Sequence, residues 1–373
     1  MRFQLPYRSV RSIVSTLELL TPRDSPQKKK MPQSSFFAKS VPFEQIDKLA
    51  ISGGYSSIFA SSEPAVPVVG NWEQRFCRLA DTFQPVLDRV YDFEVREDDV
   101  WIVTLPKCGT TWMQELAWLV VNQCDFETAK SVDLTLRSPF LEFNGVVPNV
   151  PHDTIAAANA LPSPRLIKSH LPAWMLPRQI WSKRPKIIYV YRNPKDAAIS
   201  YFHHWRGMVG YQGTKSDFMH SFIDGYVNFT PCWPHVLDFW QLRHEPNIFF
   251  TSYERMKGQL GEVIAEVAQF LNRRVSPEQI EQMQRHLSFE SMRDNPACNH
   301  VKEFESMKAA AGREVEEFST SPHRFVRRGV VGSHKDELTA DIIREFDLWS
   351  DINLRDHKLN MDDFANYSKF AST

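Results

Sequence analysis

The sequence predicts an α/β fold, a single domain with a mostly parallel central sheet flanked by helices and a P-loop-like strand–loop–helix unit. Short apolar runs of strand length alternate with helical patterns, which is typical of a parallel sheet covered on both faces. The chain of 373 residues is 42% hydrophobic and 24% charged, so it can bury a large core. Basic side chains also follow shortly after predicted strands, namely Lys107, His170 and Arg192.

The N-terminal residues 1–35 are predicted to be a basic extension to a domain that spans residues 36–373. Basic residues outnumber acidic ones in the first thirty positions, with Arg2, Arg8, Arg11, Arg23 and Lys28 to Lys30 against Glu18 and Asp24. An arginine-rich, acid-poor start is typical of a transit peptide, and a solvated tail has the same composition. We expect a disordered tail, with mitochondrial targeting or a translation start at Met31 as the alternatives.

Composition argues against several classes of protein. The formal net charge of -1 disfavours a bulk nucleic-acid binder. No apolar run approaches the length of about 18 to 20 residues that spans a bilayer. The five cysteines are odd in number and scattered, which favours reduced thiols in the cytoplasm over disulfides or zinc. We therefore expect a cytoplasmic protein with no membrane span, no metal and no nucleic-acid partner.

A predicted strand over residues 100–103 leads into the segment Thr104 to Trp112, and a helical pattern runs from Met113 to Asn122. A helix start presents unpaired N–H groups and the positive end of the helix dipole, so it attracts anions. Lys107 adds a full charge and two threonine hydroxyls add donors. Because Lys107 precedes the single Gly109, the loop differs from the nucleoside-triphosphate loop, in which lysine follows the second glycine.

Further elements follow in order along the chain. Strands are predicted over Arg165 to Ser169, Lys186 to Tyr191 and Asn247 to Ser252, and helices over Pro194 to Trp205, over Gly258 to Leu271 and from a capping box at Ser276-Pro277 with Gln279. Residues 299–324 are charged with little apolar periodicity and predict a long mobile loop. In such sheets ligands bind at the carboxyl ends of the strands.

Five ordered segments resemble the cytosolic sulfotransferases, which use 3′-phosphoadenosine 5′-phosphosulfate (PAPS) and release the bisphosphate PAP. They are Pro106 to Trp112, Pro139 to Phe143, Lys168 to Pro172, Tyr191 to Ser200 and Phe325 to Gly332. The likeness, which extends to insect members of the family, runs from about residue 70 to the C-terminus. It implies a phosphosulfate site at the strand–loop–helix unit.

The resemblance assigns nucleotide contacts by position. Lys107 matches the lysine on the bridging oxygen and 5′-phosphate, within a loop of Cys108, Gly109, Thr110 and Thr111. The matches for the 3′-phosphate are Arg192, Ser200, Arg327, Arg328 and Gly329. The aromatic pair on adenine matches Trp112 and Phe289, and Tyr253 matches another nucleotide contact.

The resemblance also implies the catalytic groups. His170 matches the general base, and Lys168 matches a second positive group near the transferred sulfuryl, beside Lys107. Histidine suits the task because its unperturbed pKa is about 6.5. Neighbouring cations favour its neutral, proton-accepting form.

The acceptor pocket is expected to be aromatic. Phe140 and Phe143 match an apolar wall of the family's pocket, and Trp174 and Phe202 are further candidates. Such a wall suits a phenol, a steroid-like alcohol or a terpenoid better than a sugar chain. We therefore expect a small hydroxylated molecule as the partner in the reaction.

The chain departs from the family pattern in its C-terminal part. Ser333-His334-Lys335 replaces the usual Asp-Trp-Lys, and Leu287 stands where a Thr or Ser often touches adenine. The dimer motif is altered to Lys335, Thr339, Ala340 and Arg344, the last of which reverses a charge. The family's homodimer therefore stays open for this chain.

Other functions fit parts of the same pattern. A lyase of the retinol dehydratase type, which sulfonates an allylic alcohol and then expels sulfate, would use the same site. A non-catalytic nucleotide or lipophile binder is a further alternative, disfavoured because Lys107, Lys168 and His170 are all present. A kinase that uses nucleoside triphosphates is disfavoured by the loop.

Overall fold

The computed structural model describes residues 34–42, 54–67, 72–147, 152–208, 210–301, 305 and 324–370. The predicted N-terminal extension lies outside these ranges except for its last two residues. Most of the loop predicted over residues 299–324 also lies outside them.

The central sheet has four parallel strands in the order β5-β4-β6-β7. The strands are β4 (Val100–Val103), β5 (Leu166–Ser169), β6 (Lys186–Tyr191) and β7 (Ile248–Ser252). All four lie where the sequence predicts strands, which confirms the α/β fold with a parallel sheet. Because the chain leaves β4 for a strand on one side and later returns to a strand on the other, a crevice opens at the carboxyl ends of these strands.

The register of the central sheet aligns the strand ends. Val103 of β4 lies opposite Ser169 of β5 and opposite Tyr189 of β6. Every side chain of β4 is buried, because helices cover both faces of the sheet. Trp101 and Val103 pack in one core cluster while Val100 and Ile102 pack in the other, as the alternation of side chains along a strand requires.

A second sheet was not predicted from the sequence. It is antiparallel, with the order β1-β2-β3. Its strands are β1 (Phe36–Ser40), β2 (Tyr55–Ala60) and β3 (Phe76–Ala80). β3 continues into the rest of the domain, since the Arg78 N–H donates to Thr230 O at 2.8 Å and the Phe229 N–H donates to Arg78 O at 2.8 Å.

The helices in the described ranges number α1 to α17 in chain order. They are α1 (Gln84–Tyr91), α2 (Thr110–Val121), α3 (Phe126–Ser131), α4 (Leu134–Arg137), α5 (Phe143–Val146), α6 (Thr154–Ala160), α7 (Gln179–Lys183), α8 (Pro194–Met208), α9 (Lys215–Ile223), α10 (Cys232–Gln241), α11 (Tyr253–Gly258), α12 (Leu260–Phe270), α13 (Pro277–His286), α14 (Phe289–Asp294), α15 (His334–Glu337), α16 (Ala340–Leu354) and α17 (Met361–Ala365). Among these described helices, none combines the length and the apolar character needed to cross a bilayer.

The predicted helices agree with the structure in position but less well in extent. α2 begins at Thr110, three residues before the predicted pattern, and α8 continues to Met208 rather than ending at Trp205. The predicted helix over Gly258 to Leu271 is α12, and the shorter α11 precedes it. The capping box at Ser276 is confirmed, because its hydroxyl accepts from the Gln279 N–H while the Gln279 side chain accepts from the Ser276 N–H.

A buried ion pair stabilises the amino-terminal edge of the sheet. Arg165 donates to Asp99 from Nε at 2.7 Å and from Nη2 at 2.6 Å, and both side chains are at most 1% exposed. Removing one partner of such a pair leaves an uncompensated charge in the interior. The pair therefore matters more to stability than an exposed pair of the same geometry.

We expect Asp99→Ala to lower the free energy of unfolding by about 3–5 kcal/mol. Urea unfolding followed by circular dichroism would measure the change. Asp98→Ala is the matched control because Asp98 is exposed and accepts only a 3.2 Å bond from Ser163. An Asp99→Ala variant within about 0.5 kcal/mol of the Asp98→Ala variant would contradict the prediction.

Candidate functional site

The loop between β4 and α2 has a backbone shaped for a bound anion. Lys107 and Gly109 have positive φ values of 69° and 98°, and Gly109 is the N-cap of α2. A Cβ at Gly109 would lie 2.9 Å from Cδ2 of Tyr253, so a side chain there would collide with that ring. The loop can thus expose the N–H groups of the helix start, which bind anions.

Lys107 lies at the centre of a cluster of cations. Its Nζ sits 3.8 Å from the centroid of the Phe325 ring. Burial, together with the nearby charges of Lys168, Arg192 and Arg327, lowers the pKa of Lys107 to about 7. Positive groups held this close repel one another, so an anion among them would relieve the repulsion.

His170 follows β5 directly and its tautomer is fixed by the backbone. Its Nδ1 lies 2.8 Å from Thr104 O, and because a carbonyl oxygen only accepts, Nδ1 must carry the proton. Nε2 is then the free proton acceptor. Burial lowers the pKa of His170 well below its usual value, and the charge of Lys168 acts in the same direction. The side chain is therefore a neutral base at physiological pH.

Two aromatic rings flank His170. The Phe140 ring centroid is 5.0 Å from the imidazole and that of Phe229 is 5.5 Å away. Backbone bonds on either side of Phe140 hold it in place. The Lys168 N–H donates to Pro139 O at 2.9 Å, and the Lys168 carbonyl accepts from the Leu141 N–H at 3.0 Å. The base therefore faces an apolar, aromatic surface.

Glu142 supports His170 from behind and was not assigned a role from the sequence. Its Oε1 accepts from the His170 N–H at 2.5 Å and from the Ser169 hydroxyl at 3.0 Å. Burial raises the pKa of Glu142 to about 7, although the bond from His170 opposes the rise. The available signal was a single carboxylate within the apolar segment Pro139 to Phe143.

Thr104 and Phe229 were also missed. The Thr104 hydroxyl lies 2.6 Å from that of Thr110 and 3.3 Å from Nδ1 of His170, so it links the loop to the base. Its position directly after β4 was the available signal. Phe229 lies far from every motif in the sequence, and only the tertiary fold brings its ring to His170.

Arg192 follows β6 and crosses to the loop. It donates from Nη1 to Lys107 O at 3.0 Å and from Nη2 to Val330 O at 3.2 Å, while its guanidinium lies 4.1 Å from the Tyr253 ring centroid. Among the described residues, its buried Nε has no hydrogen-bond partner. Ser200 lies two turns further along α8 and is half-buried.

The predicted nucleotide contacts Trp112 and Tyr253 lie beside Arg192, whose guanidinium contacts the Tyr253 ring. The rings of Trp112 and Tyr253 meet edge to face at 5.5 Å, and the buried Nε1 of Trp112 has no hydrogen-bond partner in the described part of the chain. Phe289 begins α14 and packs against Gly329, whose φ is 61°. A Cβ at Gly329 would lie 2.2 Å from Cδ2 of Phe289.

We expect Gly329→Ala to displace the Phe289 ring and to weaken binding of PAP by about tenfold, because the added methyl overlaps the ring and the positive φ is strained. Isothermal titration calorimetry would measure the affinity. Gly258→Ala is the control, since a Cβ there meets no atom within 4 Å. Equal affinities for the two variants would contradict the prediction.

The remaining predicted residues fall into separate places. Phe143 lies beside Phe140, with ring centroids 5.9 Å apart. Trp174 packs on Phe36 and Trp72, with centroids 6.2 and 6.1 Å away, and so its ring contacts lie toward the antiparallel sheet. The structure thus places Phe140 against His170 with Phe143 beside it, and Trp174 elsewhere.

Phe202 and the arginines of the C-terminal motif also have defined neighbours. Phe202 is 4% exposed and packs among other aromatic rings, including Tyr211 and Phe218. Arg327 donates from Nη1 to Glu337 at 2.8 Å, and the more exposed Arg328 donates from Nη2 to Asp336 at 2.6 Å. Both arginines are therefore tied to α15.

The positions that depart from the family pattern are built into the fold. His334 contacts Asp196, with Nδ1 2.7 Å from Oδ1, and the Gly332 N–H donates to Oδ2 of Asp196 at 2.6 Å. Burial opposes ionisation of Asp196, but the bonds from His334 prevail and lower its pKa to about 2. Leu287 is 1% exposed and belongs to a core cluster.

Comparisons with known proteins agree on one family. The family model described as Sulfotransferase domain matches residues 97–362. The chain is 35% identical over 278 residues to luciferin sulfotransferase of Photinus pyralis, covering 70% of this chain and 73% of that protein. It is 36% identical over 261 residues to sulfotransferase 1 family member D1 of Rattus norvegicus, covering 69% and 84%.

A solved structure extends the likeness to the fold. Retinol dehydratase in a complex with retinol and PAP superposes with a TM-score of 0.72 at 25% identity. The match covers 87% of this chain and 98% of that one. The residues that the family model matches include β4 to β7 and the loop with Lys107. The antiparallel sheet precedes the matched residues.

Proposed function

The chain belongs to the sulfotransferase family, and on this basis we propose that it transfers the sulfuryl group of PAPS to the hydroxyl of a small lipophilic acceptor, with His170 as general base. The carrying observation is that a neutral imidazole with a free Nε2 stands beside Lys168 and the Lys107 loop. PAPS would supply an activated sulfuryl group. A phenol, a steroid-like alcohol or a terpenoid alcohol is the proposed acceptor class.

The residues present fit a nucleotide with phosphates at two ends. Gly109 and Gly329 stand where a Cβ would collide with Tyr253 and Phe289, so glycine lets the backbone pack against the two rings that are proposed to contact the nucleotide. Arg192 has a buried Nε without a partner in the described ranges, and arginine N–H groups pair well with phosphate oxygens. The tryptophan and phenylalanine at positions 112 and 289 offer flat faces to adenine.

His170 would take the proton of the acceptor hydroxyl. The bond from Nδ1–H to Thr104 O keeps the lone pair on Nε2, and burial keeps the ring neutral. Glu142 fixes the His170 backbone through a 2.5 Å bond. The proton moves from the acceptor oxygen to Nε2, which makes that oxygen nucleophilic as it attacks.

Lys107 and Lys168 would bind the negative charge that develops during transfer. Both ammonium groups lie against aromatic rings, at 3.8 Å from the Phe325 centroid and 4.3 Å from the Phe140 centroid. Fixed positive groups in a buried site stabilise such charge strongly, because they need no reorganisation. The helix start at Thr110 adds its N–H groups.

The acceptor side supports a lipophilic molecule. Phe140 and Phe229 flank the base with apolar surface, and Phe143 packs against Phe140. A cytoplasmic location is part of the proposal, and the five free cysteines support it, since thiols stay reduced there.

The test is incubation of the purified chain with ³⁵S-labelled PAPS and a panel of phenols, steroids, retinoids and amines. We expect label to appear in sulfate esters of one acceptor class, with release of PAP. Tight binding of PAP with no turnover across the panel would instead indicate a non-catalytic binder. Preference for ATP over PAPS would overturn the proposal.

A lyase is the second candidate, because the match to retinol dehydratase covers 98% of that structure. Such an enzyme would form a transient sulfate ester on an allylic alcohol and then expel sulfate. Chromatography of the products with retinol as acceptor distinguishes the two. A stable ester supports transfer, whereas a dehydrated polyene with free sulfate supports the lyase.

A further inference from the structure

Glu337 holds together four basic side chains from three parts of the chain. Its Oε1 accepts from Nη1 of Arg327 at 2.8 Å and from Nη1 of Arg328 at 3.4 Å. Its Oε2 contacts Nε2 of His203 at 2.7 Å and accepts from Nζ of Lys215 at 3.2 Å. The glutamate thus joins the end of α15 to α8, to α9 and to the segment before α15.

This carboxylate is largely buried, and its side chain is 13% exposed. Burial would raise the pKa of Glu337, but the bonds from His203 and Arg327 outweigh it and lower the pKa to about 2. The group is therefore ionised at physiological pH, and its bonds are charge-assisted. Such bonds are stronger and more directional than neutral ones.

Arg327 belongs to a segment that contacts the candidate nucleotide site on both sides of it, since the Phe325 ring lies 3.8 Å from Nζ of Lys107 and Val330 O accepts from Nη2 of Arg192 at 3.2 Å. In agreement with this position, the charge of Arg327 lowers the pKa of Lys107, and the charge of Arg192 lowers that of Arg327. A guanidinium carries five N–H donors, and the bond from Nη1 to Glu337 leaves others for an anion. Without the carboxylate, neighbouring cations would push Arg327 away from them.

We propose that Glu337 is a positioning residue that sets the affinity and selectivity for the 3′-phosphate by holding Arg327 toward it. This inference rests on the proposed function, in which Arg327 binds the 3′-phosphate of PAPS. The carboxylate is negative, and at long range it opposes an anion. A 2.8 Å charge-assisted bond fixes the arginine, however, and the screened long-range repulsion is the smaller effect.

The test compares PAP with adenosine 5′-monophosphate, which lacks the 3′-phosphate. We expect Glu337→Gln to weaken PAP binding about tenfold and to change binding of the monophosphate less than about twofold. In turnover assays the KM for PAPS should rise while the KM for the acceptor stays. A substitution that only destabilised the fold would weaken the binding of both nucleotides by the same factor.

Asp341→Asn is the matched control, because it removes an equal charge from an exposed pair with Arg344. A double-mutant cycle completes the test, since Glu337→Gln should add little in an Arg327→Ala background. Equal losses for both nucleotides, or tighter PAP binding, would overturn the inference. A wild-type chain that does not prefer PAP over the monophosphate would contradict the proposed 3′-phosphate site itself.

Discussion

Replacing His170 with alanine is expected to lower kcat by about 10²–10⁴-fold, the range that general base catalysis contributes. The imidazole is the neutral acceptor whose Nε2 is left free by the bond from Nδ1 to Thr104 O. Without it the acceptor hydroxyl must lose its proton to water. Steady-state assays with PAPS and the best acceptor would measure the change.

Binding of PAP to the His170→Ala variant should stay within about threefold of wild type, because the nucleotide is held by other residues and a difference of that size is less than one hydrogen bond. His220→Ala is the control for loss of a histidine, since His220 is exposed and pairs only with Glu345 among the contacts described. Near-wild-type turnover by His170→Ala would show that the base is elsewhere. Loss of PAP binding would show that the variant is misfolded or that the assignment of the ligand is wrong.

Replacing Lys107 with methionine is expected to lower kcat/KM for PAPS by about 10²–10³-fold, the usual effect of removing one fixed donor from a reacting centre. Methionine keeps the length of the side chain and the contact with Phe325 while it removes the charge. Lys186→Met is the control, because Lys186 lies against Phe270 at the amino-terminal end of β6, away from the carboxyl ends of the strands, where the site lies. Equal activity of the two variants would contradict the role of Lys107.

The pH dependence of binding offers a separate check on Lys107. Its pKa in the ligand-free chain is lowered to about 7 by burial and by the neighbouring cations. A bound anion favours the ammonium form and raises this pKa, so binding takes up a proton. PAP affinity should therefore fall as pH rises from 6 to 8, and the Lys107→Met variant should lose most of this dependence.

The central sheet could be predicted because its strands are mostly apolar and lie between clear helix signals. In a parallel sheet the carboxyl ends of neighbouring strands meet at one edge. That rule alone brings Lys107, His170 and Arg192 together from separate parts of the sequence. The structure confirms the sheet and places these three side chains at its carboxyl edge.

The contacts that support these residues could not be predicted in the same way. Glu142 looks like one carboxylate in an apolar segment, and nothing local shows that it faces the backbone of His170. Phe229 depends on a pairing with Arg78 across a long stretch of chain. Such contacts come from tertiary packing, which a pattern within one segment does not encode.

The antiparallel sheet was missed because its strands carry mixed patterns. β2 reads Tyr-Ser-Ser-Ile-Phe-Ala, in which Ser56 is buried and Ser57 is half-buried, so the sequence lacks the alternation of apolar and polar residues that identifies a strand. Short strands of this kind gain their stability from neighbours rather than from their own sequence.

The pairing of β3 with the turn at Phe229 joins the antiparallel sheet to the aromatic surface beside His170. Phe229 has a φ of 67°, which is unfavourable for a bulky residue and is maintained by the bonds to Arg78. Its ring is one wall beside the base, while the donor half of the site lies on the parallel sheet. Under the proposed function, substitutions around β3 would therefore shift the Phe229 ring, and with it the choice of acceptor, while the residues proposed to bind the nucleotide stay in place.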